Sequence, residues 1–223
     1  MGPPLFEWRL DHGLCVGVAL PVADEGSLLP EERTYAGTLG EVRRRSWVGG
    51  RVAMRAALRS LGLSAPPIRA DERGAPVLPP GIAGSISHKE DLAVALVTPE
   101  DAARIGVDVE NDAPARLDVS GKVLREEELA ELATMPEASR GSEVLLRFSA
   151  KEALYKALDP FVKRYVGFRE VAVTPLPDGT ARVSMALAGA EGPFDAVVRW
   201  RREGSVILTT AKVQARVRAV RAQ

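Results

Sequence analysis

Residues 148–158 of this chain, F-S-A-K-E-A-L-Y-K-A-L, place an acid and a base one helical turn apart. On a helix, residues i and i+4 share a face, so Glu152 and Lys156 point in the same direction. Upstream, the V-D-V-E segment at 107–110 has the alternation of a strand that carries Asp108 and Glu110 on one face. The three carboxylates are hard oxygen ligands of the kind that Mg²⁺ accepts in phosphate-transfer sites.

Each of these patterns also has a purely structural interpretation. A Glu–Lys pair at i,i+4 is most often a solvated pair that stabilises a helix by a few tenths of a kcal/mol. The strand pair is harder to explain in this way. Acidic residues are depleted in strands, and Asp108 and Glu110 on one face repel each other unless a cation or solvent intervenes.

A third motif, G-S-x-S-H at residues 84–88, contains Ser87 and His88 and leads into an apolar run. It is followed by G-x-D-x-E at 106–110 and, about forty residues later, by F-x-x-K-E-A-x-x-K at 148–156. This order of motifs resembles the 4′-phosphopantetheinyl transferase superfamily. The length and doubled architecture are similar to its monomeric, two-half type, which serves siderophore, peptide and polyketide synthases.

Two further segments are similar to that family, and one position departs from it. Residues 49–58 are similar to its arginine-bearing first helix, and residues 72–79 to its G-x-P segment. Phe148 stands where the family commonly has a tryptophan, a change that leaves the packing role of the ring intact. The resemblance covers about residues 33–160, and beyond them it rests on length and strand pattern alone.

The resemblance implies an activity. The family moves the 4′-phosphopantetheine arm of coenzyme A onto a serine of an apo acyl- or peptidyl-carrier protein and releases adenosine 3′,5′-bisphosphate. Enzymes catalyse phosphoryl transfer mainly by positioning and charge stabilisation. The chain has only two histidines and one cysteine, which leaves little for a zinc site or a histidine-dependent triad. This scarcity is consistent with the resemblance, which implies that the nucleophile arrives on the partner.

The matching motif positions imply a role for each candidate residue. Magnesium is expected at Asp108, Glu110 and Glu152, and the base for the incoming serine is either Glu152 or a metal-bound water. Lys156 is expected to neutralise charge on the transferring phosphate. The remaining candidates are expected to contact coenzyme A: Ser87 and His88 at its phosphates, Arg51 and Arg44 at its 3′-phosphate. Lys151 points about 100° away from Glu152 on the helix, which makes it a weaker candidate.

The segment between residues 41 and 70 contains seven arginines and no acid after Glu41. Of these, Arg51, Arg55 and Arg59 fall at i, i+4 and i+8, which makes a single stripe on a helix. Arginines on a solvated helix face are the ordinary explanation. A stripe without acidic neighbours can instead present guanidinium groups to phosphate, whose geometry they match.

Composition indicates a soluble globular enzyme, with 46% hydrophobic and 27% charged residues. The net charge is zero, and the charges balance in each half, with 12 basic and 13 acidic residues through Arg104. Nucleic acid is therefore not an expected partner. The single cysteine, Cys15, lies in an apolar stretch and is expected to be a buried thiol of a reducing compartment. We expect a cytoplasmic monomer without a signal peptide or membrane span.

The hydrophobic patterns predict an α+β fold, and the resemblance adds two similar halves related by a pseudo-two-fold axis. The halves would be residues 1–104, with the arginine-bearing helix and the S-H motif, and residues 105–223, with the carboxylates and the K-E-A helix. The first half opens with one predicted strand that ends near Leu20. A helix beginning near Pro30 and a proline-rich loop at 65–80 follow.

In the second half, a helix is predicted over 143–158, begun by Gly141 or Ser142 and stopped by Pro160. The pattern then turns to strands separated by glycine- and proline-containing turns. Four strands are predicted, at residues 170–173, 181–188, 196–200 and 206–211. They would form a meander beside the helices.

Two other functional classes are compatible with the same residues. One is a different Mg²⁺-dependent phosphoryl-transfer enzyme or nuclease, which the neutral halves disfavour because it should show a broader basic surface. The other is a non-catalytic carrier-binding module of the same fold. The presence of all three carboxylates and Lys156 gives that class no support.

Overall fold

The computed structural model describes residues 4–21, 25–100, 103–112 and 119–216, and these confirm the α+β fold. The α-helices in these ranges are α1 (Pro30–Ala36), α2 (Glu41–Ser60), α3 (Ser120–Val123), α4 (Glu126–Ala133) and α5 (Glu137–Val162). The strands are β1 (Phe6–Leu10), β2 (Gly13–Ala19), β3 (Ala83–Lys89), β4 (Leu92–Thr98), β5 (Ala103–Asn111), β6 (Val171–Pro175), β7 (Thr180–Met185), β8 (Phe194–Glu203) and β9 (Val206–Ala215). Among these helices, none combines the length and the apolar character needed to cross a lipid bilayer.

The first sheet has the strand order β1-β2-β4-β3, and α2 packs against it through a shared apolar core. Gly49 and Gly50 allow the helix to approach closely. A Cβ at Gly49 would collide with the side chain of Leu20, and one at Gly50 would lie 2.7 Å from Ile86. This close packing fixes Arg51, the next residue on α2.

The second sheet has the order β5-β9-β8-β7-β6 with antiparallel neighbours, so the predicted meander of its last four strands is confirmed. Helix α5 packs on β5 and β9. Its contact with β5 is made at Gly106, where a Cβ would collide with the carbonyl oxygen of Ala153. Glu152 on the helix and Asp108 on the strand are therefore carried by elements in backbone contact.

The two halves share one arrangement of strands and helix. In each half, one strand precedes the long helix: β2 precedes α2, and β5 precedes α5. That strand pairs antiparallel with the strand of its sheet that comes last in the chain, β2 with β4 and β5 with β9. The next strands outward are β3 and β8. This repeat supports two similar halves. The division at residues 1–104 and 105–223 stays a prediction, and β5 begins at Ala103.

The two sheets meet through an apolar cluster that includes Cys15, Leu96, Val107 and Leu208. Cys15 is fully buried there, and burial raises the pKa of its thiol to about 12, which confirms the predicted buried thiol. At the edge of this contact the amide of Val107 donates a 3.1 Å hydrogen bond to Ser85 Oγ. Strand β3 of the first half thus lies beside β5 of the second half.

Of two predicted elements in the first half, one differs in the structure and the other is confirmed. The single strand expected up to Leu20 is a hairpin of β1 and β2, turned at Asp11–His12 and entered by Gly13 with φ of 146°. The sequence showed the alternation but not this reversal, because the turn lacks a strong two-residue signal. Residues 65–80 form the predicted loop, with one isolated bridge between Ala70 and Pro76.

The predicted bounds of the K-E-A helix were wrong at both ends. Helix α5 begins at Glu137, directly after Pro136, so Gly141 and Ser142 lie inside its second turn rather than at its start. It also continues through Pro160 to Val162 and ends at Lys163, which has the left-handed φ of 51°. Proline removes one helical hydrogen bond, and this costs little where only two residues follow.

Candidate active site

A cleft of about 1030 Å³ lies between the two halves of the molecule. Its walls are α2, the loop that precedes β3, strand β3 itself and the C-terminal part of α5. Four of the predicted site residues line it: Arg51, His88, Glu152 and Lys156. The structure thus brings together residues that lie about a hundred positions apart in the chain.

Asp108 is buried beside this cleft on β5, with 5% of its surface exposed. Its Oδ1 accepts hydrogen bonds of 2.9 Å from both Ser87 Oγ and Lys156 Nζ. Lys156 also donates to the carbonyl oxygen of Val107 at 2.8 Å. Asp108 Oδ2 is buried and has no hydrogen-bond partner among the described residues. A buried carboxylate oxygen without a partner is costly, so this atom is poised to accept a cation or a donor.

The other two predicted ligands lie on either side of Asp108. Glu110 forms a 2.5 Å ion pair with Lys89 of β3. The carboxyl group of Glu152 is partly buried, and that burial raises its pKa, with further increases from the nearby charges of Asp108 and Glu110 and an opposing effect of Lys156. The three carboxylates therefore influence one another, although two of them are engaged by lysines.

Magnesium fits the chemistry of this donor set, which is built of carboxylate oxygens with one buried oxygen unsatisfied. Within the described residues, however, no three acidic, histidine or cysteine side chains are grouped closely enough to hold a metal ion as they stand. Lys89 engages Glu110 and Lys156 engages Asp108 Oδ1, whereas Asp108 Oδ2 has no hydrogen-bond partner among the described residues. The three ligand assignments stay predictions.

Arg51 lines the same cleft from helix α2. Its side chain is buried, its Nε donates to the carbonyl oxygen of Ile68 at 3.3 Å, and its guanidinium lies 4.1 Å from the ring centroid of Trp47. Burial lowers the pKa of Arg51 to about 10, against smaller raising effects of Glu32 and Tyr35. Among the described residues it forms no ion pair with a carboxylate. A buried cation of this kind is suited to an anionic ligand.

The remaining cofactor candidates are placed less directly. His88 lines the cleft, and partial desolvation together with Lys156 lowers its pKa. Ser87 is buried and its hydroxyl faces Asp108, so its contact with phosphate stays a prediction. Arg44 is exposed on the first turns of α2 and is not among the residues that line the cleft, whereas Arg43 is.

Arg55 does not present its guanidinium group to phosphate, as a member of the arginine stripe could have done. It is buried, pairs with Glu32 of α1 and donates 2.7 Å to the carbonyl oxygen of Ala65. Glu32 also accepts from the amides of Leu29 and Ile68. Arg55 is thus a structural cation. Its charge is compensated by Glu32, which precedes the segment of residues 42–70 that contains no acid.

Lys151 is also structural, in agreement with its lower ranking from the sequence. It is buried and donates to Glu128 Oε2 at 2.6 Å and to the carbonyl oxygens of Val123 and Phe168. Phe148, at the position where a tryptophan is common, packs against Phe168 with ring centroids 5.4 Å apart. These contacts hold α3, α4 and the segment after α5 in place around Glu152.

Sequence reasoning missed four residues that shape the cleft: Trp47, Arg73, Tyr155 and Asp159. Arg73 forms an ion pair with Asp159, which is 86 positions away. Tyr155 was visible inside the K-E-A motif, and Trp47 precedes Arg51 by one helical turn. That helical spacing was the available signal for Trp47, but nothing local pointed to the Arg73–Asp159 contact.

Two family models match the chain: the 4′-phosphopantetheinyl transferase N-terminal domain at residues 31–98 and the 4′-phosphopantetheinyl transferase superfamily at residues 104–211. The 4′-phosphopantetheinyl transferase Npt of Nocardia iowensis is 36% identical over 179 residues, which cover 79% of this chain and 80% of that protein. Enterobactin synthase component D of Salmonella typhimurium is 31% identical over 186 residues, 78% of this chain and 74% of that protein.

Among solved structures, the ACPS–CoA complex of Chronobacterium ammoniagenes is 21% identical and covers 52% of this chain and 99% of that one. Its TM-score is 0.41, so this likeness adds nothing to the assignment. The family models and the curated relatives are sufficient. The chain belongs to the 4′-phosphopantetheinyl transferase superfamily and is a 4′-phosphopantetheinyl transferase of the two-half type.

Proposed function

We propose that this enzyme uses coenzyme A and Mg²⁺ to place 4′-phosphopantetheine on a serine of an apo acyl- or peptidyl-carrier protein. One observation carries the proposal: Arg51, a buried cation without a carboxylate partner, lines the same cleft as Glu152 and Lys156. Coenzyme A has a 3′-phosphate at one end of its nucleotide and a pyrophosphate at the other. A single cofactor molecule would therefore engage both groups of charges.

Magnesium, when bound, would neutralise charge on the pyrophosphate oxygens as the bond to the leaving group breaks. Asp108, Glu110 and Glu152 are its proposed ligands, and the unpartnered Oδ2 of Asp108 supports this choice. Lys156 and Lys89 compensate two of these carboxylates in the structure. Ammonium groups also bind phosphate oxygens. Lys156 and Lys89 would therefore contact the phosphates of the cofactor when their carboxylate partners bind Mg²⁺ instead.

In the proposed reaction the serine oxygen of the carrier forms a bond to the phosphorus that bears the pantetheine arm. The bond from that phosphorus to the bridging oxygen breaks, and adenosine 3′,5′-bisphosphate departs. The serine proton has to be removed, and we propose Glu152 as its acceptor. Glu152 is the candidate because its side chain lines the cleft in which the cofactor would bind. Lys156 and His88 would stabilise the phosphate oxygens.

Ser87 and Arg44 have more limited roles in this proposal. Ser87 would orient Asp108 through its 2.9 Å hydrogen bond. Arg44 would contribute to long-range attraction of the cofactor from its exposed position. Arg51 is the proposed ligand of the 3′-phosphate.

The proposed partner is a carrier protein of a siderophore, peptide or polyketide synthase, and the relative named enterobactin synthase component D supports this class. We also propose that the enzyme acts as a cytoplasmic monomer. Both walls of the cleft come from one chain, so a second copy is not needed to complete it. The free, buried Cys15 agrees with a reducing compartment.

The test is to incubate the enzyme with coenzyme A, Mg²⁺ and an apo carrier protein and then to measure the mass of the carrier. We expect a gain of one phosphopantetheine, lost when Mg²⁺ is chelated. Glu152→Gln keeps the size of the side chain and should abolish the gain. Glu137→Gln, an exposed carboxylate in the first turn of the same helix, is the matched control and should retain it.

The same measurement separates the other functional classes. A non-catalytic carrier-binding module would bind the carrier and leave its mass unchanged. A different phosphoryl-transfer enzyme would consume a phosphate ester without modifying the carrier. Full activity of Glu152→Gln at saturating Mg²⁺ would contradict the assignment of the site.

A further inference from the structure

An ion pair in the lining of the cleft joins one half of the enzyme to the other. The Arg73 guanidinium lies in the loop before β3 and binds both carboxylate oxygens of Asp159, with Nε donating at 2.9 Å and 2.7 Å. Its Nη2 also lies 3.5 Å from the hydroxyl of Tyr155. All three residues line the cleft. Such a forked contact fixes geometry more strongly than a single hydrogen bond.

The part of the loop that carries Arg73 is a rigid turn in its own right. Asp71 Oδ1 accepts 2.9 Å hydrogen bonds from the amides of Arg73 and Ala75. The turn is closed behind them by a bridge between Ala70 and Pro76. A rigid turn moves as a unit, so the position of this wall depends on what holds the turn to its surroundings.

What holds the turn to α5 is Arg73. Among the described residues, the hydrogen bonds recorded between the loop and α5 all come from its guanidinium. Asp159 is on the last full turn of α5, with 16% of its side chain exposed, and Arg73 has 41% exposed. The contact is thus partly screened by solvent.

We propose that the Arg73–Asp159 pair is a positioning contact that holds this wall closed and so sets the affinity of the cleft for coenzyme A. This inference rests on the proposed function, because it assigns the wall to the cofactor. Neither residue touches the reacting atoms in this proposal. The pair determines how tightly the cofactor is enclosed, while the carboxylates and Lys156 determine the rate of transfer.

The experiment measures kcat and KM for coenzyme A in Arg73→Ala, Asp159→Asn and the exchanged variant Arg73→Asp/Asp159→Arg. Each single variant should raise KM by about three- to tenfold and leave kcat within about twofold, as expected for a partly exposed forked pair. The exchanged variant should recover most of the loss. Glu31→Gln is the matched control, because Glu31 forms an exposed pair with Arg69 of the same loop and neither residue lines the cleft.

The outcomes distinguish a positioning role of the Arg73–Asp159 pair from other roles of these residues. If Asp159→Asn leaves KM unchanged while Arg73→Ala raises it and the exchange restores nothing, Arg73 contacts the cofactor directly and the proposal is wrong. A fall in kcat with unchanged KM would also overturn it. If the exchanged variant does not fold, Asp159→Glu keeps the charge and must keep KM within about twofold of wild type.

Failure of the underlying function gives a different result. Wild-type enzyme that does not modify the carrier with coenzyme A refutes the proposed function and leaves no KM to compare. Wild-type enzyme that is active, with KM unaffected by either single variant, refutes only the role of the Arg73–Asp159 pair.

Discussion

Gly106→Ala should damage both stability and transfer, because Gly106 is the point at which β5 and α5 touch. A Cβ built there would collide with the carbonyl oxygen of Ala153 and lie 2.9 Å from its carbon and 3.0 Å from the amide of Ala157. These are backbone atoms, so no side-chain rotation can relieve the overlap. Restoring ordinary carbon contacts requires the strand and helix to separate by roughly 1 Å.

The size of the effect follows from that displacement. Overpacking of a well-packed core costs about 1–3 kcal/mol, and an obstacle made of backbone belongs at the upper end of this range. For a chain of this size, a loss of about 3 kcal/mol lowers Tm by about 6–12 °C. The same shift moves Asp108 relative to Glu152, and a misplacement of about 1 Å can cost about a hundredfold in rate.

The assay is a pair of measurements on Gly106→Ala, its Tm and its kcat/KM for modification of the carrier at a temperature well below that Tm. Gly121→Ala is the control. Gly121 lies in α3 with open space around the position of a Cβ, so alanine there should be neutral or stabilising by up to about 1 kcal/mol. A Gly106→Ala variant with wild-type Tm and activity would refute the claim that this contact positions the site.

Three other outcomes are expected. Lys151→Met should lower the free energy of unfolding in urea by about 3–5 kcal/mol, because it leaves the buried carboxylate of Glu128 without its cation; a loss below 1 kcal/mol would contradict the buried pair. Burial lowers the pKa of His12, whose unfolded value is near 6.5, so stability should be lost as pH falls below about 6.5. His12→Gln should reduce this dependence of stability on pH. An unchanged dependence would assign the effect to His88, whose pKa is also lowered. Arg51→Ala should shrink the preference for coenzyme A over its 3′-dephospho form by about ten- to hundredfold in kcat/KM; an equal loss on both cofactors would place Arg51 elsewhere.

The parts of the site that were predictable from the sequence are those in which the spacing of residues determines geometry. Asp108 and Glu110 share a face because strand residues alternate, and Glu152 and Lys156 because helix residues repeat every turn. The order of the three motifs then indicated the family, which the comparisons confirmed. The close approach of β5 and α5 was also encoded locally, in Gly106, but only the structure shows which backbone atom fills the space.

The parts that were not predictable depend on partners distant in the chain. Arg55 belonged to an apparent phosphate-binding stripe until the fold brought Glu32 to it. Arg73 and Asp159 are 86 positions apart, and no periodicity connects them. The start of α5 at Glu137 was missed for a different reason. Gly141 and Ser142 are typical of a helix start, but packing of the following residues sustained the helix around them.

Compensation of buried charge separates the structural residues of this enzyme from the proposed functional residues better than residue type does. Arg55 and Lys151 are buried cations, and each has a buried carboxylate within hydrogen-bond distance. Arg51 is equally a buried cation on the same helix as Arg55, but a carbonyl oxygen and an indole ring are its contacts. Asp108 is compensated at one oxygen and not at the other. An unpaired buried cation and an unsatisfied buried carboxylate oxygen both cost free energy in the folded protein, and this cost is the reason to propose a ligand for them. In the proposed function, the phosphate groups of the cofactor would supply the negative charge that Arg51 lacks, and a divalent cation would engage the unpartnered oxygen of Asp108.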